Sequence, residues 1–462
     1  MAEPASTQPI EANDLLPRFE DVRSLTEMLA EPLSAEDQTA QSMPDASPTK
    51  WHRAHTTWFF ETFILQTFEG GYKAFDPTYH HLFNSYYQSL GPPHTRSERG
   101  LVTRPGIERI ELYRRDVDDR MRSILDPVSP GGDRSRDLES LVVLGLHHEQ
   151  QHQELLLMDA KHLLSRNPPL PRYQSRSLPC LPDRQPAFRI GPEPRTDPAM
   201  AYPDSSGRGR ANDWVDHPGG ISEIGHGGAN FAFDNEKPSH KELLVPFSIS
   251  NRLVTCGQWL EFIGDGGYSR PELWLSEGWS TCCAQSWQAP LYWFSDAQES
   301  PPIRGSQSAR NSPDSQWWIF TLAGARPVDP TEPVCHVSYF EADAFARWAG
   351  ARLPTESEWE AMASGKPVKG NFLDLDVLHP SGSELPSFFG DVWQWTSSSY
   401  GPYPGFRSEG GAIGEYNGKF MVNQYVLRGG SCVTPSGHTR TTYRNFYPAS
   451  ARWAFSGVRL AK

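Results

Sequence analysis

Cysteine is scarce in this chain. Six residues (Cys180, Cys256, Cys282, Cys283, Cys335 and Cys432) are scattered over 462 positions with no C-x-x-C spacing. That distribution argues against a disulfide framework and against a zinc ribbon. Long hydrophobic runs are lacking too: none approaches the 18 consecutive apolar residues that suggest a membrane-crossing helix. The opening segment MAEPASTQPIEANDLLPRFEDV has neither the basic n-region nor the apolar h-region of a secretory signal. The expected compartment is therefore the cytoplasm, without membrane association. Positive charge is in deficit, with 43 Lys and Arg against 56 Asp and Glu and a net charge of −13. A general binder of nucleic acid or of an anionic membrane is not expected from such a balance, which leaves small molecules as the expected partners. Internal repeats of fixed period are also missing.

What is abundant shapes the rest. Glycine (38) and proline (41) make up about one residue in six, too irregular for a coiled coil or a helical bundle throughout. Hydrophobic residues at 37% and aromatic residues at 12% provide for real cores. At roughly 150 residues per domain the length allows two or three domains.

Residues 1–14 are polar and proline-containing and read as a flexible N-terminus. From 15 to 164 the pattern is helical, in four segments: LLPRFEDVRSLTEMLAEPL, WHRAHTTWFFETFILQTFEG, GIERIELYRRDVDDRMRSIL and DLESLVVLGLHHEQQHQELLLMDAKHLL. Each repeats apolar residues at i, i+3 and i+4 and is closed by Pro, Gly or a polar cluster, as in an antiparallel four-helix bundle. Residues 165–213 form a Pro/Arg-rich connector. From 214 to 462, short β-like segments (ELLVPFSIS, WWIFTLA, YVLRGGS, FSGVRLA) alternate with long Gly/Pro/Ser/Trp stretches and one clear helix, SYFEADAFARWAGA. The expected fold class is α+β in two domains.

The fourth helical segment carries His147, His148, Glu149, Gln150, Gln151 and His152. His148 and His152 are four apart and project from one face about a turn apart, close enough to share one metal ion. The same face continues through Leu141, Gly145, Leu155 and Asp159, which turns it towards the bundle core. Buried imidazoles need partners, and a metal satisfies two at once. A third ligand is expected from the second segment, which supplies His52 and His55. His55 shares the apolar stripe of Trp58 and Phe59 and is the preferred candidate. His148-Glu149-Gln150-Gln151-His152 is also a literal H-E-x-x-H, the zinc-hydrolase string with glutamate as general base, for which Glu154 or Asp159 would be the further ligand. Spacing alone does not choose iron over zinc.

Several long strings resemble known families. SPTKWHRAHTTWFFETFIL and HHEQQHQELLLMD resemble the DinB-like bundle. VCHVSYFEADAFARWAGARLPTESEWEAMA, GDVWQWTSSSY, RGGS and FSGVRLA resemble the formylglycine-generating-enzyme fold, a C-type-lectin-like domain. In this order the two are similar to the ergothioneine-biosynthesis sulfoxide synthases, non-haem iron enzymes. That resemblance implies Fe(II) held by His55, His148 and His152, and a reaction joining the sulfur of cysteine or γ-glutamylcysteine to the imidazole C2 of hercynine with O₂. Tyr86 and Tyr87 in FNSYYQSLG resemble the tyrosines of the branch in which the bundle supplies the proton or hydrogen-atom donor, a branch associated with free cysteine. Tyr416 in GEYNGKF resembles the donor of the other branch. Gln151 is similar to a hercynine-contacting glutamine, and Asn445, beside Phe446 and Tyr447, to an asparagine that holds the hercynine carboxylate. Arg104, with Arg96, Arg99, Arg114 and Arg115, supplies guanidinium groups for the carboxylate of the thiol. The cysteine pair of formylglycine-generating enzymes falls at Thr434 and Thr439 here, so their copper–thiol chemistry is not expected. Neighbouring activities in view are a 5-histidylcysteine sulfoxide synthase and a selenoneine synthase. From another class come the zinc hydrolase and a pure binding module with structural histidines.

Overall fold

The computed structural model describes residues 15–126, 136–173, 214–295, 316–381, 387–408, 410 and 412–462. The flexible terminus expected at 1–14, and most of the expected connector, fall outside these described residues.

The N-terminal part is built from α1 (Leu15–Ala30), α2 (Thr49–Phe60), the short α3 (Gln66–Phe68) and α4 (Tyr79–Leu82), α5 (Ile107–Leu125) and the 30-residue α6 (Arg136–Ser165). A π-helical stretch, Glu61–Leu65, joins α2 to α3. Asp137 and Glu139 stand in the first turn of α6, where negative charge complements the helix dipole. Helix α6 packs against α1 and α2, and α2 also against α5.

Every residue of α2 is buried, although seven of its 12 residues are polar. A helix enclosed on all sides must satisfy its polar side chains internally. Arg53 accordingly pairs with Glu27 and bonds Gln38 Oε1, while Arg23 donates to Thr57 Oγ1 at 2.9 Å. Gly145 brings α6 close to α2. A Cβ there would stand 2.8 Å from Phe60 Cε1 and 3.1 Å from Phe59 Cε1.

The C-terminal part holds eleven strands among the described residues: β1 (Trp214–His217), β2 (Gly220–Ile224), β3 (His240–Leu244), β4 (Phe247–Ser250), β5 (Trp293–Ser295), β6 (Trp317–Thr321), β7 (Gly324–Pro327), β8 (Trp393–Ser399), β9 (Gln424–Arg428), β10 (Asn445–Pro448) and β11 (Ser456–Gly457). The largest sheet has the order β10-β9-β8-β11, antiparallel except for the parallel β11–β8 pair. Smaller sheets are β1-β4, β2-β3 and β5-β6-β7. Four helices accompany them: α7 (Cys256–Gly264), α8 (Ser276–Gln285), α9 (Tyr339–Trp348) and α10 (Glu356–Ala363). Capping boxes start α7 at Thr255/Gln258, α9 at Ser338/Glu341 and α10 at Thr355/Glu358.

The segment ELLVPFSIS, expected as one strand, is divided at Val245–Pro246 into β3 and β4, which join different sheets. Proline offers no N–H to continue a ladder. Strand β8 lacks an alternating signature because Trp393–Thr396 are all buried, as befits a strand flanked on both sides. After β9, Gly429 and Gly430 take φ of +103° and +81°. A Cβ on Gly429 would lie 2.8 Å from the Phe388 carbonyl oxygen, so the R-G-G-S element requires glycine there.

One apolar core runs from Phe19, Trp58 and Leu146 of the bundle to Trp393, Trp395 and Tyr416 of the second part. A second joins Leu156, Leu157 and Met158 of α6 to Val433, Ala454 and Phe455. The C-terminal half of α6 is therefore embedded in the other domain. No helix of the described residues is long and apolar enough to cross a membrane.

Candidate metal centre

Helices α2 and α6 bring His55, His148 and His152 together, with one ligand atom of each lying within 4.8 Å of the others. His55 Nε2 and His148 Nε2 are 3.2 Å apart. Two nitrogens held at right angles about 2.1 Å from one ion would be separated by about 3 Å, so this spacing suits shared coordination. His55 lies between Trp51 (ring centroids 4.5 Å, 13°) and Trp58 (5.5 Å, 15°), the residues four before and three after it on α2. These indoles fix the plane of the imidazole. Phe59 flanks His148 at 4.7 Å.

The surrounding bonds set which nitrogens carry protons. Phe83 O is 2.6 Å from His55 Nδ1 and accepts its N–H, which leaves the Nε2 lone pair of His55 facing inward. Asp159 Oδ2 lies 3.0 Å from His52 Nε2, and His52 Nδ1 lies 2.8 Å from His152 Nδ1. A carboxylate only accepts, so the singly protonated His52 donates through Nε2 and accepts at Nδ1 from His152. His152 is then left with a free Nε2 lone pair. Such a carboxylate–histidine–histidine chain orients a ligand and raises its basicity. One imidazole nitrogen of His148, Nδ1, is buried without a hydrogen-bond partner among the described residues.

Burial holds all three imidazoles in the uncharged form a metal needs. It lowers His148 to about 3, and, with the neighbouring histidines and Arg99 adding to it, puts His55 and His152 well below the ordinary range. Three buried, neutral imidazoles whose donor atoms converge within 4.8 Å fit a divalent transition metal.

Glu149, the glutamate of the H-E-x-x-H string, faces the other way. It is fully buried, paired with Arg23 (2.8 Å) and Arg114 (3.0 Å), and accepts from Thr26 Oγ1 (2.6 Å). Burial alone would raise its carboxyl, but the two guanidinium groups outweigh that and bring it to about 2. A carboxylate so engaged is not available as a general base. Glu154 and Asp159, the further ligands of the hydrolase reading, are engaged elsewhere: Asp159 on His52 and the Ser47 N–H, Glu154 on the second domain.

The wall facing the histidines comes from both domains. The Tyr416 ring stands edge-on to His148 at 5.7 Å and stacks on Phe233. Its hydroxyl donates to Gln151 Oε1, and Gln151 Nε2 donates to Tyr443 Oη at 2.8 Å. Tyr443 continues through His438 (3.1 Å) to His147 (3.1 Å), whose ring stacks on Phe231. Tyr86 stacks on Tyr87 at 4.6 Å and meets Tyr416 edge-on at 6.4 Å. Tyr87 is fully buried against Trp58 and Phe63, and its hydroxyl lies against that of Tyr86 with no other hydrogen-bond partner among the described residues. Burial drives both phenols above their ordinary range, so they stay protonated.

The remaining sequence candidates divide. Asn445 is half-buried on β10 with its Oδ1 on the Phe446 N–H. Tyr447 lies on the same strand face as Asn445, and its hydroxyl reaches Met158 Sδ of α6 at 3.7 Å. Phe446 points to the opposite face and stacks on Tyr400 at 4.0 Å. Arg104 is exposed in the loop before α5. Arg114 is buried and taken up by Glu149 and the Arg53 carbonyl. Arg99 is different: it is 3% exposed, its guanidinium lies 3.4 Å over the Trp51 ring, and its bonds go to Ser47 Oγ and Ser85 Oγ. No carboxylate pairs with it among the described residues, and burial lowers its pKa well below the usual value.

The chain belongs to the family defined by the sulfatase-modifying factor enzyme 1-like domain, which it matches over residues 200–384 and 374–462. Residues 18–156 match the DinB superfamily. Among curated relatives, it is similar to the hercynine oxygenase of Mycolicibacterium thermoresistibile, 33% identical over 268 residues that cover 50% of this chain and 54% of the relative. The hercynine oxygenase of Mycolicibacterium smegmatis is 35% identical over 263 residues, covering 50% of this chain and 56% of the relative. The formylglycine-generating enzyme of Streptomyces coelicolor is 27% identical over 307 residues, 56% of this chain and 88% of the relative. The chain thus spans little more than half the length of the hercynine oxygenases it matches.

Proposed function

We propose that this protein is a non-haem Fe(II)- and O₂-dependent sulfoxide synthase of ergothioneine biosynthesis. It joins the sulfur of L-cysteine or γ-glutamylcysteine to the imidazole C2 of hercynine. The observation that carries the reading is the three-histidine face with its inward lone pairs, enclosed by an aromatic and amide wall in a chain similar to hercynine oxygenases. In balance, one thiol, one imidazole C–H and one O₂ give one sulfoxide and one water.

His55, His148 and His152 would hold Fe(II), which when bound leaves coordination positions for the reactants. Holding thiol and hercynine side by side supplies most of what the chain must contribute. Gln151, clasped by Tyr416 and Tyr443, presents a fixed amide to hercynine, and Asn445 offers its side-chain N–H₂ to the carboxylate. Aromatic faces of Tyr416 and Phe233 suit a trimethylammonium group. The thiol carboxylate goes to Arg99 rather than to the exposed Arg104, because Arg99 is a buried guanidinium without a carboxylate partner, beside the Trp51 that stacks on His55. Tyr87, with Tyr86 against it, is the donor phenol: among the described residues its hydroxyl is engaged by nothing but the neighbouring Tyr86 phenol, whereas that of Tyr416 is spent on Gln151. The engagement of Glu149 with Arg23 and Arg114 disfavours the hydrolase reading.

An aerobic incubation of Fe(II)-loaded protein with hercynine and a mixture of cysteine and γ-glutamylcysteine tests this by mass spectrometry. A hercynyl-thiol sulfoxide is expected, and its mass identifies the thiol. Bound iron with no product from either thiol would overturn the assignment and turn attention to histidine or a selenosugar as reactant.

A further inference from the structure

Two residues beyond His152, α6 reaches into the second domain through one acidic side chain. Glu154 is buried, and all three donors to its carboxylate belong to that domain: Trp393 Nε1 at 2.5 Å and Ser431 Oγ at 3.2 Å on Oε1, Thr434 Oγ1 at 2.6 Å on Oε2. Thr434 Oγ1 itself accepts from the Ser431 N–H at 2.8 Å, so its hydroxyl proton is committed to Glu154. No Lys or Arg pairs with this carboxylate among the described residues. A buried acid without a cation is costly unless hydrogen bonds satisfy it. Here they exist only when α6 sits at one rotation and one depth against β8 and the loop after β9.

Gln151 stands three residues before Glu154 and so shares its side of α6. Trp393, the donor to Glu154, packs at 5.4 Å on Tyr443, the acceptor from Gln151. The two contacts form one patch, while His148 and His152 occupy the neighbouring side of the same helix.

We propose that Glu154 is a positioning residue: by gathering three hydrogen bonds from the C-terminal domain it sets the orientation of α6, so that Gln151 meets Tyr416 and Tyr443 and the histidine face is presented to that wall. This rests on the metal-centre reading above. Glu154 touches neither metal nor substrate in this role. Its effect is on alignment, where a shift of about 1 Å costs on the order of 10²-fold in rate.

The test uses the full chain loaded with Fe(II), comparing wild type with Glu154→Gln, Glu154→Ala, Thr434→Val and Glu154→Gln/Thr434→Val. Readouts are iron stoichiometry, the electron paramagnetic resonance spectrum of the nitric oxide adduct of the bound Fe(II), and sulfoxide turnover. Iron stoichiometry should be unchanged, because the ligands lie on α2 and α6. The nitrosyl spectrum should broaden and turnover fall, with Glu154→Gln between wild type and Glu154→Ala, since glutamine keeps the shape and one acceptor. Thr434→Val should act in the same direction, and in the Glu154→Gln background it should add almost nothing. A Glu154→Ala protein with wild-type spectrum and turnover would overturn the proposal, as would fully additive Glu154 and Thr434 effects. If Glu154→Ala does not fold, Glu154→Gln and Thr434→Val carry the same comparison. Absence of sulfoxide from the wild type would overturn the activity reading alone, leaving the spectra and their coupling to decide Glu154.

Discussion

At the scale of single residues, the site is built by second partners as much as by the three histidines. His52 was legible in the sequence only as a rival to His55. It lies instead behind His152, accepting the Nδ1 proton of that ring while Asp159 accepts its own. Helical spacing puts Asp159 on the face of His148 and His152, but it cannot reveal that a histidine from another helix is inserted between. Removing the carboxylate should loosen the tautomer of His152 without removing a ligand. Asp159→Asn and His52→Ala are expected to weaken metal affinity by about 10–100-fold, whereas His152→Ala should abolish stoichiometric binding. Titration with Fe(II), followed by metal analysis after gel filtration, distinguishes the two outcomes. Wild-type affinity in Asp159→Asn would remove the relay from the site. The arginines show the opposite limit of sequence reading. The five candidate arginines, Arg96, Arg99, Arg104, Arg114 and Arg115, looked alike in the sequence; exposure sets Arg104 apart and the ion pair with Glu149 sets Arg114 apart from Arg99, which pairs with no carboxylate among the described residues.

At the scale of elements, periodicity carried the helices well because their apolar stripes are long, and α1, α2, α5 and α6 follow the four segments read from the sequence. It failed for β8 and β10, where Trp393–Thr396 are buried on both faces and residues 445–447 are all half-buried, so that the two-residue alternation is lost. It also gave no hint that α2 is enclosed on every side, since a helix that buries Lys50, Arg53 and three threonines reads as amphipathic. The closeness of α2 and α6 that this enclosure requires depends on Gly145, one turn before His148. Gly145→Ala would improve helix propensity by up to about 1 kcal/mol, but its Cβ would press on the Phe60 and Phe59 rings at 2.8 and 3.1 Å. Overpacking of this kind costs about 1–3 kcal/mol, so a net loss of stability is expected. Because Phe59 also flanks His148, the same variant should weaken Fe(II) binding. Thermal unfolding and metal titration of one preparation check both effects. A more stable variant with unchanged affinity would show that the helices have room to separate.

At the scale of the whole molecule, the two domains share their cores, and the charge buried between them has a measurable signature. Lys161, two and a half turns beyond His152 on α6, is fully buried. Its Nζ donates to His336 Nε2 at 2.7 Å and lies 4.9 Å and 4.7 Å from the Tyr292 and Phe455 ring centres. No carboxylate pairs with it among the described residues; Cys335, Cys432, His336, His379 and Arg326 are titratable or charged groups around it. Burial is the largest influence and lowers its pKa to about 8. The sign of the consequence follows from proton counting. Below pH 8 the ammonium is charged in both folded and unfolded chains, and the full cost of burying it weighs on the fold. Between pH 8 and the unfolded value near 10.5 the folded protein sheds the proton while the unfolded chain keeps it, so stability contributed by this group rises with pH. Lys161→Met keeps the length and the packing against the rings but removes the charge. It should therefore be more stable than wild type at pH 7, by on the order of 3 kcal/mol at one unit per 1.36 kcal/mol, and the gap should close as pH rises through that window. Denaturant unfolding of both proteins from pH 7 to 10.5 measures it directly. A gap that stays constant would mean that Lys161 keeps its proton in the folded state, held by the histidine and the two aromatic faces, and that the domain junction tolerates a full charge.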